Sequence, residues 1–450
     1  MAVSENNRKF AIGKQRLGIM VETNDRILPV GIQSFEEIRK GGYLYVDKTD
    51  IIWQLANRGK KYNYLSRPRR FGKSVLVDTL EAYFMGKKEL FEGLKIMQME
   101  TEWVKRPVIR LDMSRAGAEP ESLKGYLDYT FQEYESLYEI ETRGNSPLAT
   151  RLIEIIKTAY NKTGLQVAIL IDEYDFPLQH SWKTPLYEKC TAIYRDVFVI
   201  LKSMDKFENF VFITGCTKFS QFSLTSGLNN LSFIGFDSEY AALCGITKEE
   251  AICYFKPEIN KLAACKGWTF DEAAMQLSSY YGGYHFCSRN KVDVFNPFCL
   301  INALADSDLK HYWFSSGTSP LLSKFEDDIK KRLKDFEYCP IISDTLETSD
   351  VTDGGAELVL YQTGYLTIKD YMMGIYILGF PNSEVKNHFM RRYCQHLLQK
   401  LSNNGGVDAA TEQIKAKQYA EPFKADKRKV IALAIELDDK GKGLVDWKEV

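Results

Sequence analysis

The stretch Leu65–Leu80, LSRPRRFGKSVLVDTL, constrains this chain more than any other. A strand-like run, YNYLS (62–66), leads into it, and Val75, Leu76, Leu80 and Phe84 follow near helical spacing. A strand, a tight turn and a helix N-terminus bring unpaired backbone N–H groups and the positive end of the helix dipole to one point. Such a point takes phosphate. Gly72 lets backbone approach a ligand closely, Lys73 has the reach for β/γ-phosphates, and the Ser74 hydroxyl suits Mg²⁺. The glycine expected five positions before Gly72 is Arg67 instead. Because Arg67 precedes Pro68, it is biased to an extended backbone that needs no glycine. Arg69 and Arg70 add positive charge. The expected phosphate-binding set is therefore Arg67, Pro68, Arg69, Arg70, Phe71, Gly72, Lys73, Ser74 and Val75. The competing reading is an exposed basic turn before an ordinary helix.

A second element favours the ligand site. QVAILIDEYD (166–175) is a continuous apolar run, as in a strand buried on both faces, and ends in Asp172 and Glu173. A carboxylate at that strand end can hold Mg²⁺, and an adjacent glutamate can orient an attacking water. Lys73 and Glu173 are thus the expected catalytic pair, and Ser74 and Asp172 the expected metal ligands. The strand PVIRLDM (107–113) falls between the loop and the acidic strand end. That is the order of Mg-nucleotide hydrolases whose sheet carries an additional strand. In VFITGCTKFSQ, Thr214, Thr217 and Lys218 are each placed to sense a phosphate, and the sequence does not choose among them. Thr214 is carried with the cofactor-binding set. Arg195 is a candidate arginine finger, with a solvated helix face as the stronger alternative.

Apolar runs alternate with helical patterns to about residue 245, which predicts an α/β fold with a parallel sheet. Residues 122–138 place Leu123, Tyr126, Leu127, Phe131, Tyr134, Leu137 and Tyr138 on one stripe, interrupted by Thr130. The expected units are a polar extension (1–27), an α/β nucleotide-binding domain (28–245), a helical lid (246–335) and a smaller α+β unit (336–450). A net charge of -1 gives no global argument for nucleic acid or an acidic membrane. No run of 18 apolar residues and no signal-peptide pattern occurs, so the expected location is cytoplasmic, with no membrane partner. Nine scattered cysteines without a CxxC read as reduced core thiols.

Six segments together carry a resemblance: LPVGIQSFEEIRKGGYLYVDKTDII, YLSRPRRFGKSVLVDTL, LIDEYDFPL, FITGCTKFSQFSLTSGLNNL, YAALCGIT and YQTGYLTI. In this order they resemble the AAA-ATPase-like proteins with a C-terminal PD-(D/E)XK nuclease-type domain, abundant in gut Bacteroidetes. The resemblance implies a P-loop NTPase (AAA-like) core, a lid or winged-helix-like unit, and ATP as the nucleotide. It implies Lys73 and Ser74 on phosphate and Mg²⁺, Asp172 and Glu173 as the acidic pair, and YLYVDKT (43–49) near the adenine.

The departure lies in the last unit. A nuclease of that type needs carboxylates on adjoining strands and a lysine. Here GGVDAATEQIKAKQYAEPF follows the long helix at once, which points to a shortened, inactive remnant. The string Glu384-Val385-Lys386 reads as a helix start rather than a catalytic motif. Three readings follow: a Mg²⁺-dependent ATPase, an ATP-bound switch or scaffold acting through a protein partner or homo-oligomer, and an ATP-gated nuclease. Nucleic-acid contact stays open.

Overall fold

The strand YNYLS is short because Arg67-Pro68 follows it, and its side chains enter the core on both faces. The computed structural model describes residues 27–141, 146–219, 231–288, 292–315, 320–333, 335–351, 354–402, 407–417, 433–437 and 444–449. Five parallel strands form the main sheet: β1 (Tyr62–Ser66), β2 (Val108–Asp112), β3 (Val167–Asp172), β4 (Glu208–Gly215) and β5 (Ser232–Phe233). Their order across the sheet is β2-β3-β4-β1-β5. The acidic strand β3 is therefore separated from the loop strand β1 by β4, whereas the strand 107–113, which falls between them in the sequence, is β2 at the sheet edge. All six residues of β3 are buried, as a parallel strand covered on both faces requires. Parallel pairing has a further consequence: every strand ends at the same edge. Ser66 pairs with Gly215, and Asp112 with Asp172, so the strand ends stand side by side.

The helices between the strands cover the sheet. Lys73–Phe84 buries Leu76, Val77 and Leu80. In Pro120–Leu137, Leu123, Leu127 and Phe131 pack inward as expected, but Leu137 is exposed at the last turn. Tyr126 and Tyr134 serve a different purpose from apolar packing. Their hydroxyls accept the Asp112 and Arg110 N–H groups, both at 2.7 Å. Strand β2 is an edge strand, and these hydroxyls satisfy donors that no neighbouring strand can take.

Beyond residue 245 the helix Lys248–Tyr254 opens with a reciprocal Thr247–Glu250 capping box, and helices Lys256–Lys266, Phe270–Tyr281 and Pro297–Asp306 follow. Strands β6 (Ile246–Thr247) and β7 (Val294–Phe295) form a short antiparallel pair there. The expected hairpin is β9 (Thr367–Met372) with β10 (Ile375–Gly379), joined by β8 (Cys339–Ile342) in a three-stranded sheet. The helix Ser383–Ser402 follows, then a helix at Val407–Lys417 and the paired strands β11 (Leu433–Leu437) and β12 (Leu444–Glu449). Contacts cross the expected unit boundaries: Lys218 Nζ donates to the Glu347 and Thr348 carbonyls, each at 2.9 Å. The polar extension before Ile27 lies outside the described residues, as does the segment 418–432.

Glu208, at the start of β4, is fully buried and accepts the Tyr62 hydroxyl at 2.6 Å. Burial pushes its carboxyl up to about 7. The native state keeps this proton to a higher pH than the unfolded chain, where glutamate titrates near 4.5. Its stabilising contribution is therefore complete below that value and is lost as pH rises through about 7. Glu208→Gln is expected to flatten this fall. At about 1.4 kcal/mol for each pH unit between the two values, the effect is on the order of 3 kcal/mol. Melting temperatures of both proteins across that range check this, and parallel curves would refute it. Glu384, also raised to about 7 by burial, leaves a residual slope in each.

Candidate functional site

The chain leaves β1 with the Arg67 N–H bonded to the Gly215 carbonyl at 3.1 Å, which ties the loop to the end of β4. Arg67 does not have a positive φ, so the position needs no glycine. Its side chain turns into the core rather than toward the loop mouth. The guanidinium donates to the Ser66, Gly235 and Tyr240 carbonyls and lies 4.2 Å from the Phe286 ring centre. Phe71 is buried edge-on against Tyr284 and Phe286, which anchors the loop from the other side. Arg69 and Arg70 line the cleft, with Arg70 4.5 Å from the Phe298 ring. Gly72 has φ +87°, and a side chain there would project into open space. Only glycine adopts that backbone at no cost.

The helix Lys73–Phe84 has no side-chain cap and no acidic residue in its first turn. Its hydrogen-bond ladder starts with the Leu76 N–H on the Gly72 carbonyl at 3.0 Å. The N–H groups of Lys73, Ser74 and Val75 are therefore outside the ladder, at the positive end of the dipole. An anion is the ligand such an uncapped end prefers.

The Lys73 ammonium is 3% exposed. It donates to the Arg67 and Pro68 carbonyls, both at 3.2 Å, and lies 3.3 Å from Glu173 Oε1. Burial opposes its charge, but the carboxylates of Glu173, Asp172 and Asp175 favour it, and the lysine is held protonated. Asp172 is buried, and its carboxyl is pushed up to about 6 by burial and by Glu173, while a Ser74 hydrogen bond and Lys73 act the other way. Ser74 and Asp172, on different elements, are thus brought together. They form an all-oxygen pair of the kind Mg²⁺ takes. Among the described residues no group of three His, Cys, Asp or Glu side chains is arranged to hold a metal. A cation here would complete its shell with phosphate oxygens and water, as Mg²⁺ commonly does. Glu173 sits at the apex of the turn after β3 with φ +48° and its N–H on Asp172 Oδ1 at 2.9 Å.

The strand-end candidates sort differently from their sequence order. The Thr214 hydroxyl donates to the Leu65 carbonyl at 3.0 Å, within the sheet, and Thr214 is fully buried. Thr217 donates to Asp175 at 2.6 Å. Lys218 turns away to Glu347 and Thr348, and burial lowers it to about 8. The side chain that faces Lys73 is Cys216, with Sγ 3.3 Å from Nζ and 3.9 Å from Glu173 Oε2. Burial and Glu173 raise this thiol to about 12, so it is a neutral group there. Cysteine reads as core in a sequence; its one signal was its place directly after the last strand residue. Arg195 is exposed on the helix Tyr187–Phe198 and is not among the residues lining the cleft.

Arg69, Arg70, Phe71, Gly72, Lys73, Ser74, Val75, Asp172 and Glu173 line a cleft of about 1070 Å³ at the carboxyl ends of the strands, whereas Arg67, Pro68, Thr214 and Cys216 are not among its lining residues. Leu44, Tyr45, Val46 and Lys48 of the YLYVDKT segment line the same cleft, with Ile32, Leu243 and Ile246. Lys48 is paired with Glu250 of the capping box at 2.5 Å, which joins the two sides of that end. Asp112 also lines the cleft beside Asp172.

A parallel α/β sheet with a Gly-Lys-Ser helix start, and an acidic pair on a strand two places away, defines a protein of the P-loop nucleotide-binding class. The family model described as predicted AAA-ATPase matches residues 29–225. An uncharacterized protein in the vnfD 5' region of Azotobacter chroococcum mcd 1 is 34% identical over 367 residues, covering 80% of this chain and 68% of that one. The chain belongs to the predicted AAA-ATPase family. Among solved structures, a Walker-type ATPase of Pyrococcus abyssi is 12% identical with a TM-score of 0.36, covering 78% of this chain and 97% of that one. Cdc6p from Pyrobaculum aerophilum is 12% identical with a TM-score of 0.27, covering 80% and 92%. Scores at that level do not define a shared fold. No helix among the described residues is long and apolar enough to cross a membrane.

Proposed function

We propose that this protein binds ATP with Mg²⁺ in the cleft and hydrolyses the terminal phosphate. The observation that carries this reading is the convergence of Lys73, Ser74, Asp172 and Glu173 on the uncapped first turn of the helix Lys73–Phe84. Phosphoryl transfer needs positioning and charge stabilisation more than covalent chemistry, and these residues supply both. The N–H groups of Gly72 through Val75 take phosphate oxygens, Lys73 neutralises the β/γ region, and Ser74 and Asp172 hold the cation. Bound Mg²⁺ supplies charge neutralisation on the phosphate oxygens. Glu173 orients the attacking water, and the apolar end near Leu44 and Val46 takes the adenine. In this reading Arg67 acts through its backbone carbonyl and the loop's shape, and Thr214 through the sheet.

A switch that retains ATP and acts through a protein partner or a second copy is the other reading. The Lys73–Glu173 pair at 3.3 Å favours it, since a carboxylate held by that lysine is not oriented toward water. The unit 336–450 is read as a shortened nuclease-type remnant without a catalytic centre. In support, Glu384 is 1% exposed and accepts the N–H of Trp313, in the separate helix Tyr312–Ser315, at 2.8 Å, so its carboxylate is engaged in a buried tertiary contact. An ATP-gated nuclease is therefore disfavoured. The proposed location is cytoplasmic.

Titration of the purified protein with a fluorescent ATP analogue, with Mg²⁺ and with EDTA, tests the reading beside an assay of phosphate release. Saturable, Mg²⁺-strengthened binding with turnover supports the hydrolase. Binding without turnover supports the switch, and absence of binding at millimolar nucleotide overturns both.

A further inference from the structure

The fourth residue of the acidic turn, Asp175, does something its position does not require. It stands at the N-cap of the helix Phe176–Ser181, where an aspartate normally accepts an N–H of its own first turn. No such bond is made. The carboxylate, fully buried, reaches instead across the sheet edge to the turn that follows β4. Oδ2 accepts the Cys216 N–H at 3.1 Å, and the Thr217 N–H and hydroxyl at 2.6 Å each. It also accepts Gln179 Nε2 at 2.5 Å. A buried carboxylate is costly unless donors surround it, and here they do. Gly215 makes the approach feasible, because a Cβ there would lie 2.4 Å from Asp175 Oδ1. One more bond parallels these, from the Tyr174 N–H to the Thr214 carbonyl at 3.0 Å.

The two turns joined in this way carry the two groups that meet at Lys73. Glu173 lies on one, and Cys216, whose Sγ touches both Lys73 and Glu173, lies on the other. We infer that Asp175 is a positioning residue for hydrolysis, setting the distance between the Glu173 carboxylate and the Lys73 ammonium by bolting the turn after β3 to the turn after β4. This rests on the hydrolytic reading. Asp175 touches neither phosphate nor metal in this scheme, so its loss acts on turnover and leaves ATP affinity, which the loop and Lys73 supply, in place.

Phosphate release and ATP binding by Asp175→Asn, Thr217→Val and Thr217→Ser, beside the native protein, test the inference. In Asp175→Asn an amide replaces one oxygen and faces groups that are themselves donors. The expected loss in kcat is on the order of 100-fold, the scale of a small misplacement of reacting groups, with Kd for ATP within about threefold. Thr217→Val removes one donor and is expected to lower kcat by about 5- to 10-fold at one lost hydrogen bond. Thr217→Ser keeps that donor and is expected to match the native protein. If Asp175→Asn does not fold, the Thr217 pair decides: equal kcat in the valine and serine variants overturns the inference. So does a full native kcat in Asp175→Asn, or a parallel fall in kcat and affinity. A native protein that binds ATP but does not turn it over overturns the hydrolytic reading, and this inference with it.

Discussion

Lys73→Ala is expected to abolish phosphate release from ATP and to weaken ATP binding by about 100-fold. The lysine is buried at the head of the loop, with its ammonium surrounded by the Arg67 and Pro68 carbonyls, Cys216 and Glu173. Its charge is already desolvated and held in place, so a phosphate meets a cation that needs little further ordering. Truncating one partner of a buried charge pair costs about 2–5 kcal/mol, and each tenfold in affinity corresponds to about 1.4 kcal/mol. Loss of a preorganised donor at developing charge costs about 100- to 1000-fold in turnover. The substitution also leaves Asp172 and Glu173 without their neighbouring cation. Asp172, already raised to about 6, is expected to rise further, which limits the loss of stability because the carboxyl can neutralise itself. Phosphate release, ATP titration and thermal melting on one preparation check this. Turnover within threefold of native would remove Lys73 from the mechanism.

Glu173→Gln is expected to separate binding from hydrolysis. The amide keeps the side-chain shape and loses the negative charge that orients water, so turnover falls by about 100- to 1000-fold, the range of general-base and positioning effects. ATP affinity is expected to hold or rise. In the native protein Glu173 Oε1 lies 3.3 Å from Lys73 and competes for the ammonium, and the glutamine releases it toward phosphate. Single-turnover measurement of bound ATP decides. Retained nucleotide with slow release of phosphate assigns Glu173 to the chemical step. Native turnover would move that role to another carboxylate of the cleft, with Asp112 beside Asp172 the nearest alternative.

Much of this site was legible in the chain. The helix start at Gly72-Lys73-Ser74 follows from local rules, since a glycine N-cap and a first turn without acid are read directly from neighbouring residues. The buried strand ending in Asp172 follows from its continuous apolar run, and the Thr247–Glu250 capping box from its spacing. Arg67 and the residues after β4 were not legible to the same depth. An arginine in a basic loop reads as a phosphate contact, yet this one bonds carbonyls at residues 235 and 240, far along the chain. Thr214, Thr217 and Lys218 are the polar residues after Ile213, and polarity suggested them. All three are engaged elsewhere, and the apolar-reading Cys216 faces Lys73.

What the sequence determined by itself was the set of elements and their local chemistry, because strand burial, helix capping and loop conformation depend on residues a few positions apart. It also determined that the loop and the acidic pair would share an edge, since parallel strands end on the same side. Tertiary structure alone decided which side chain stands at Lys73. That choice depends on the rotation of the turn after β4, and the group that holds this turn, Asp175, lies on a different strand's exit. Hydrogen bonds across a sheet edge join residues whose separation in sequence carries no period, so no local pattern announces them.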